Sequence, residues 1–190
     1  MEREMDLRGK EAVSLSSLVK QEYQIPDSYY FGEVKRGLRN SDGTGVLIGV
    51  TKVGSVQGYL IEDGRRIPVP GKLYYRGIDL NEIVEAHRKS GTFGYEEVAY
   101  LLLMGHLPTK SELSYFNDIM CRARKLPEGF TEGMIMRHPS RDIMNDLARS
   151  ALLLYSYDEN PDDISAENLL TQSIKLIGSF PAIVANAYAV

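Results

Sequence analysis

The spacing of the apolar residues changes once along this chain, near Gly77, and this change constrains the fold more than any other feature of the sequence. Before Gly77, Tyr59, Leu60 and Ile61 face Ile67 and Val69 across Asp63-Gly64, a dipeptide typical of two-residue β-hairpin turns. After Gly77, apolar residues recur every three or four positions, which is the period of an amphipathic helix. The sequence therefore predicts a mainly α protein, with a small antiparallel β element near the N-terminus whose strands are confined to residues 46–75.

Several residues predict where individual helices begin and end. Thr109 and Glu112 have the spacing of a capping box, and Gly105 follows an apolar helical stretch as a C-terminal glycine does. Apolar residues at helical spacing predict one further helix after Ser140 and another after Ser165. The first of these has a predicted buried stripe of Ile143, Leu147, Ala151, Leu154 and Tyr155.

The C-terminal residues are apolar up to Val190. Pro181 stands at the position typical of the first residue of a helix, and apolar residues follow it with no capping residue and no charged last turn. Because an exposed apolar helix end is unfavourable in water, we expect a truncated chain, or one whose apolar surface is covered by another subunit.

Composition and charge exclude several classes of protein. The 190 residues include 22 Lys and Arg against 26 Asp and Glu, so the basic excess needed to bind nucleic acid is missing. Cys121 is the only cysteine, which excludes an intrachain disulfide and favours a reducing compartment, the cytoplasm. The first ten residues do not have the pattern of a signal peptide, and no apolar run is long enough to span a membrane.

Candidate chemical groups are few and scattered. The histidines His87, His106 and His138 lie far apart and lack metal-ligand spacing, so we interpret them as structural or solvated and predict no metal site. Cys121 lies next to the apolar stripe of a predicted helix, and packing explains it best. The acidic residues around Pro161 lack the glycine-centred pattern of a calcium loop and are interpreted as a solvated loop: Asp158, Glu159, Asp162 and Asp163.

A set of motifs, taken in order, resembles the citrate synthase family. The resemblance covers about residues 35–190. Its motifs are Arg36-Gly37-Leu38-Arg39, Gly43-Thr44-Gly45-Val46, LYYRGIDL at 73–80, EEVAYLLLMG at 96–105, LPT at 107–109, His138-Pro139 and LIGSFPAIVA at 176–185. The insert at 58–71 departs from the family by being longer than the usual link.

The resemblance implies a mainly α homodimer of large and small domains. Residues 35–190 would form the N-terminal portion of the large domain, which is incomplete and ends within a helix, after an N-terminal arm of residues 1–34. The implied reaction condenses acetyl-CoA with oxaloacetate and water to give citrate and CoA, an acyltransferase step of the tricarboxylic acid cycle. Acetyl-CoA is then a substrate, and no cofactor is expected.

The resemblance also places the functional residues. The two histidines and the aspartate that perform the family's acid–base chemistry are expected beyond Val190, so no residue of this chain is predicted to be catalytic, and the chain alone is expected to be inactive. Arg39 matches a family arginine that approaches the CoA phosphate. His138 matches a structural His-Pro pair. Dimer contacts are expected through the helices spanning residues 143–155 and 169–190.

Two other interpretations remain open. One is a 2-methylcitrate synthase, because the pocket that would distinguish acetyl from propionyl groups is expected beyond Val190. The other is a free-standing, non-catalytic helical dimerisation module, against which the apolar C-terminus argues.

Overall fold

The protein is described by a computed structural model that covers residues 10–29 and 51–190. It is mostly helical (59%) and carries a small antiparallel sheet of three strands, which confirms the predicted fold class. The helices are α1 (Lys10–Glu22), α2 (Leu80–Ser90), α3 (Tyr95–Met104), α4 (Lys110–Ala123), α5 (Ile143–Leu154) and α6 (Ala166–Ala189), and the strands are β1 (Gly54–Glu62), β2 (Arg65–Tyr75) and β3 (Ile78–Asp79). Short 3₁₀ turns occupy Asp27–Tyr29 and Tyr155–Tyr157, and a π-helical turn occupies Thr131–Met136.

The chain divides into two compact units. Of the described residues, 10–18 and 109–190 form the first unit, and 19–29 and 51–108 form the second. Helix α1 therefore contributes its first turns to the first unit and its last turn to the second. The boundary predicted between residues 34 and 35 lies outside the described residues and stays a prediction.

The sheet of the second unit is built on the predicted hairpin. Strands β1 and β2 pair antiparallel, with Leu60 opposite Ile67, and β2 pairs in turn with β3. Asp63 and Gly64 both have positive φ (50° and 72°), as the tight turn inferred from this dipeptide requires. The register shifts between Gln57 and Tyr59, where one residue of β1 stands opposite three residues of β2, 69–71, so the pairing is irregular there.

The prediction that strands are confined to residues 46–75 was wrong. Strand β3, at Ile78–Asp79, follows a second tight turn at Arg76-Gly77, where both residues have positive φ (49° and 84°). This reversal returns the chain to pair with the end of β2 before helix α2 begins. Residues 46–50 lie outside the described part of the chain.

Helices α2 and α3 follow the sheet in the second unit. The Asp79 carboxylate accepts a hydrogen bond from the Asn81 backbone N–H and thereby caps α2. Helix α3 ends at Gly105 as predicted, where the glycine N–H donates to the Leu101 carbonyl. Its most buried side chains are those of Tyr100, Leu101 and Met104.

The first unit packs α4, α5 and the π-helical turn against α6. The predicted capping box is present at the start of α4, where Thr109 and Glu112 exchange hydrogen bonds between side chains and backbone. Helix α4 buries an apolar stripe as expected, consisting of Phe116, Ile119, Met120 and Ala123. A second buried cluster joins the π-helical turn to the end of α6 and comprises Phe130, Ile135, Ile183 and Ala187.

Pro181 does not begin a new helix, contrary to the sequence prediction. Helix α6 runs without interruption from Ala166 to Ala189, with Pro181 inside it. A proline in a helix interior removes one backbone hydrogen bond and costs about 3 kcal/mol. The buried positions continue at helical spacing through the proline, from Ile174 and Gly178 to Ile183, and we attribute the continuity of the helix to this burial.

Helix α5 buries polar residues that its predicted apolar stripe did not include. Ile143, Leu147 and Leu154 pack against the Phe130 cluster and are half-buried, and Tyr155 is exposed. The fully buried residues of α5 are instead Asp146 and Ser150. The Asp146 carboxylate forms an ion pair with Arg149, which compensates its charge.

Candidate functional site

The three histidines occupy separate settings. His106 is exposed and meets the Tyr100 ring edge-to-face, with ring centroids 5.5 Å apart. His138 is exposed, and its backbone carbonyl accepts a hydrogen bond from Arg149 Nη2 at 2.8 Å. His87 is mostly buried in the corner between α2 and α3. Within the described residues, no group of three or more His, Cys, Asp or Glu side chains is placed to hold a metal ion.

His87 lies between a hydroxyl and a carboxylate, the same kinds of group that flank the histidine in many catalytic sites. Its Nδ1 is 2.8 Å from Thr92 Oγ1, and its Nε2 is 3.5 Å from Glu97 Oε1. Thr92 Oγ1 is also 2.7 Å from Ser90 Oγ, so the contacts extend to the end of α2.

His87 packs closely against the start of α3. A Cβ atom placed on Gly94 would lie 2.5 Å from His87 Cδ2, so the imidazole ring rests directly on the backbone there. The side chain is 17% exposed. With its contacts to Thr92 and Glu97, the ring connects α2 to α3. The interpretation of His87 as a structural residue stays a prediction.

Arg76, from the LYYRGIDL motif, has a structural role that the sequence analysis did not identify. Its Nε and Nη2 atoms both donate to the Leu102 carbonyl oxygen, at 3.3 and 2.8 Å. Its guanidinium also lies 4.7 Å from the centre of the Tyr23 ring. The basic group of the motif is thus directed at the end of α3. The only sequence signal for this role was an arginine within a recognisable motif. Its acceptor could not be identified from the sequence, because it is the carbonyl of a residue 26 positions away.

The acidic loop before α6, residues 158–165, is held by hydrogen bonds that its own side chains make. The Asp158 carboxylate accepts from the Asn160 N–H, and the Asp163 carboxylate accepts from the backbone and hydroxyl of Ser165. The Tyr155 hydroxyl donates to both Asp162 carboxylate oxygens at 3.0 Å. The pKa of Tyr155 is raised above its ordinary value of 10.0. The largest cause is this hydrogen bond, and the second is the negative charge of Asp162. The interpretation of this segment as a solvated loop that does not bind calcium stays a prediction.

Cys121 is exposed, so the prediction that packing explains it was wrong. The buried face of α4 contains Ile119 and Met120. Cys121, the next residue along the chain, lies outside this face. An apolar stripe read from the sequence has an uncertain edge, because successive helical residues are rotated by about 100°.

The residues assigned to substrate binding and catalysis are not among those described. Arg39 lies within residues 30–50, outside the described part of the chain, and its role stays a prediction. The placement of the acid–base residues beyond Val190 also stays a prediction. Among the described helices, none combines the length and hydropathy needed to cross a membrane.

Comparisons with known proteins identify the family. A sequence model described as "Citrate synthase, C-terminal domain" matches residues 42–190. The chain is 29% identical to the citrate synthase of Haloferax volcanii over 162 residues, which are 83% of this chain and 37% of that protein. It is 30% identical to the 2-methylcitrate synthase of Shewanella oneidensis over 116 residues, 61% of this chain and 28% of that protein.

The fold agrees with this match. The solved structure of citrate synthase from Pyrobaculum aerophilum superimposes with a TM-score of 0.59 at 27% identity, covering 83% of this chain and 40% of the other. The chain thus spans less than half the length of these relatives. Because the family match extends over most of its residues, this chain belongs to the citrate synthase family.

Proposed function

We propose that this chain is part of an enzyme that condenses acetyl-CoA with oxaloacetate and water to give citrate and CoA. The observation that carries the proposal is the family match over residues 42–190. The similarity of the fold to the citrate synthase of Pyrobaculum aerophilum supports it. The compartment proposed is the cytoplasm, on the basis of the single cysteine.

Within that enzyme, the chain is proposed to be the N-terminal portion of the large domain. The order of the motifs, from the Arg36–Arg39 segment to the 176–185 segment, supports this position. The family model that matches the chain is itself described as the C-terminal domain of citrate synthase. Coverage of 37% and 40% of two relatives is the size expected of such a portion.

In the proposed enzyme, the described residues support the fold, and other residues perform the acid–base chemistry. Condensation requires a base for the methyl proton beside the thioester and a donor for the developing enolate oxygen, both within hydrogen-bond reach of the substrate. His87 is held against Gly94, and His106 and His138 lie in separate exposed settings. In this proposal the family's two histidines and aspartate lie beyond Val190, where the family resemblance puts them.

Arg39 is proposed to contact the CoA phosphate. A guanidinium suits a phosphate because its planar fork can donate two parallel hydrogen bonds. In the protein extended beyond Val190, Arg39→Ala should raise KM for acetyl-CoA more than KM for oxaloacetate, with Arg36→Ala as the control. Equal KM values for acetyl-CoA in the variant and the parent would remove the assignment.

Self-association is proposed through helices α5 and α6. Both helices present large apolar side chains to solvent, including Met144 (70% exposed), Leu152 (77%) and Tyr188 (80%). Exposed apolar surface of this kind favours burial against a partner, and a second copy is the partner that the family resemblance implies. Static light scattering across micromolar concentrations should show a mass above 21.3 kDa. A monomer at every concentration would count against the proposal.

The alternative substrate is propionyl-CoA, because 2-methylcitrate synthases are among the relatives. The deciding experiment extends the chain through the codons that follow Val190 and measures thiol release from acetyl-CoA and from propionyl-CoA with oxaloacetate present. A higher kcat/KM with acetyl-CoA supports the proposal, and a preference for propionyl-CoA supports the alternative. A coding sequence that stops at Val190 would favour the dimerisation module.

A further inference from the structure

The carbonyl of Leu102 is the meeting point of three elements in the second unit. It belongs to the last turn of α3, which ends at Met104, and carbonyls in the last turn of a helix lack a donor from the helix itself. It accepts hydrogen bonds from Arg76 Nε, Arg76 Nη2 and the Tyr23 hydroxyl, the last at 3.2 Å. We name the three residues Tyr23, Arg76 and Leu102 the Leu102 clamp.

The arginine of the clamp is held at both ends. Its backbone lies in the tight turn after β2 with φ of 49°, and its N–H donates to the Val53 carbonyl at 2.9 Å. Its guanidinium lies over the Tyr23 ring, a cation–π arrangement, while it donates to Leu102. A positive group at the C-terminal end of α3 is also favoured by the helix dipole.

The other side of the clamp is the end of α1. Tyr23 follows Glu22, the last residue of α1, and the Tyr23 N–H donates to the Val19 carbonyl at 3.0 Å. The Glu22 side chain lies against Gly105, where an added Cβ would be 3.0 Å from Glu22 Cγ. Both Glu22 and Tyr23 are exposed, so apolar burial holds this turn weakly and the polar contacts carry more weight.

We propose that Arg76 fastens the last turn of α1 to the C-terminus of α3, so that the end of α1 is a strap released when the clamp is broken. The arginine of the LYYRGIDL motif thereby holds the last turn of α1. The proposal concerns residues 19–108 alone and is independent of the proposed enzymatic function.

Hydrogen–deuterium exchange of the whole chain, read by mass spectrometry, tests the proposal. Arg76→Ala should raise amide exchange in residues 19–23 at least tenfold, and Tyr23→Phe, which keeps the ring and loses one hydrogen bond, should raise it less. Arg88→Ala is the matched control, because Arg88 is an exposed arginine of the same unit whose partner is Glu85. Equal exchange of residues 19–23 in Arg76→Ala and Arg88→Ala would overturn the proposal.

Loss of Arg76 could also unfold the second unit, which would raise exchange in β1 and β2 as well. Tyr23→Ala then decides, because it removes the side of the clamp contributed by the strap and leaves the bonds from Arg76 to Leu102 in place. It should raise exchange in residues 19–23 while β1 and β2 keep their protection. Unchanged exchange of residues 19–23 in Tyr23→Ala would overturn the proposal.

Discussion

Single residues show which contacts a sequence can predict. The turn at Asp63-Gly64 was predictable because both residues tolerate positive φ and lie next to each other. The role of Arg76 was not, because the carbonyl it binds is 26 residues away and is brought close only by the fold. The packing of His87 on Gly94 depends likewise on the path of the intervening loop.

Gly94→Ala should destabilise the protein by about 1–3 kcal/mol, the range for an added methyl group in a tightly packed place. The new Cβ would lie 2.5 Å from His87 Cδ2, and Thr92 holds the ring on its other side. Urea unfolding measures the change. Gly71→Ala is the control, because its added Cβ has no neighbour within 4 Å among the described residues. A Gly94→Ala protein as stable as the control would contradict this packing.

Asp162→Asn should lower the pKa of Tyr155 toward 10.0, because the carboxylate is the acceptor and the charge that raise it. Neutral Tyr155 is favoured in the folded state, so its contribution to stability is present below pH 10 and is lost as pH rises through the elevated pKa. NMR titration of ring-labelled tyrosine measures the shift, with Asp158→Asn as the control. An unchanged Tyr155 titration in Asp162→Asn would remove the assigned cause.

Secondary-structure elements were predicted well where local chemistry decides them. The capping box at Thr109 and the end of α3 at Gly105 involve neighbours within four residues. Pro181 was misread because its local preference is overridden by the buried face of α6, which is a property of the packed unit. The burial of Asp146 was not predictable from hydropathy, since it depends on the ion pair with Arg149.

Gly178→Ala should separate α4 from α6 and destabilise the protein by about 1–3 kcal/mol. The added Cβ would lie 2.5 Å from Ala123 Cβ and 3.1 Å from Ala123 backbone carbon, neither of which can rotate away. This strain exceeds the gain of about 1 kcal/mol that alanine brings to a helix over glycine. Thermal unfolding should show the loss, and Ala123→Gly in the same chain should restore part of it. The control is Gly133→Ala, whose added Cβ meets nothing within 4 Å in the part of the chain that the structure describes. No loss of stability in Gly178→Ala relative to this control would refute the close approach.

At the scale of the whole molecule, the order of the motifs predicts the family, whereas the periodicity of apolar residues predicts only the fold class. Periodicity predicted a mainly α chain with a hairpin, and the ordered motifs from residue 36 to residue 185 predicted the family, which the match over residues 42–190 confirms. The substrate site could not be tested in the same way, because Arg39 is outside the described residues. The structural interpretation of the three histidines likewise stays a prediction.

We propose that these residues form a scaffold of the citrate synthase fold without its acid–base groups. Release of free thiol from acetyl-CoA is measured with oxaloacetate present and with the chain at concentrations that allow self-association. The expected rate equals that without protein, because the family's two histidines and aspartate are proposed to lie beyond Val190. A rate above that background, retained after repurification and absent from an identically purified blank, would overturn the proposal.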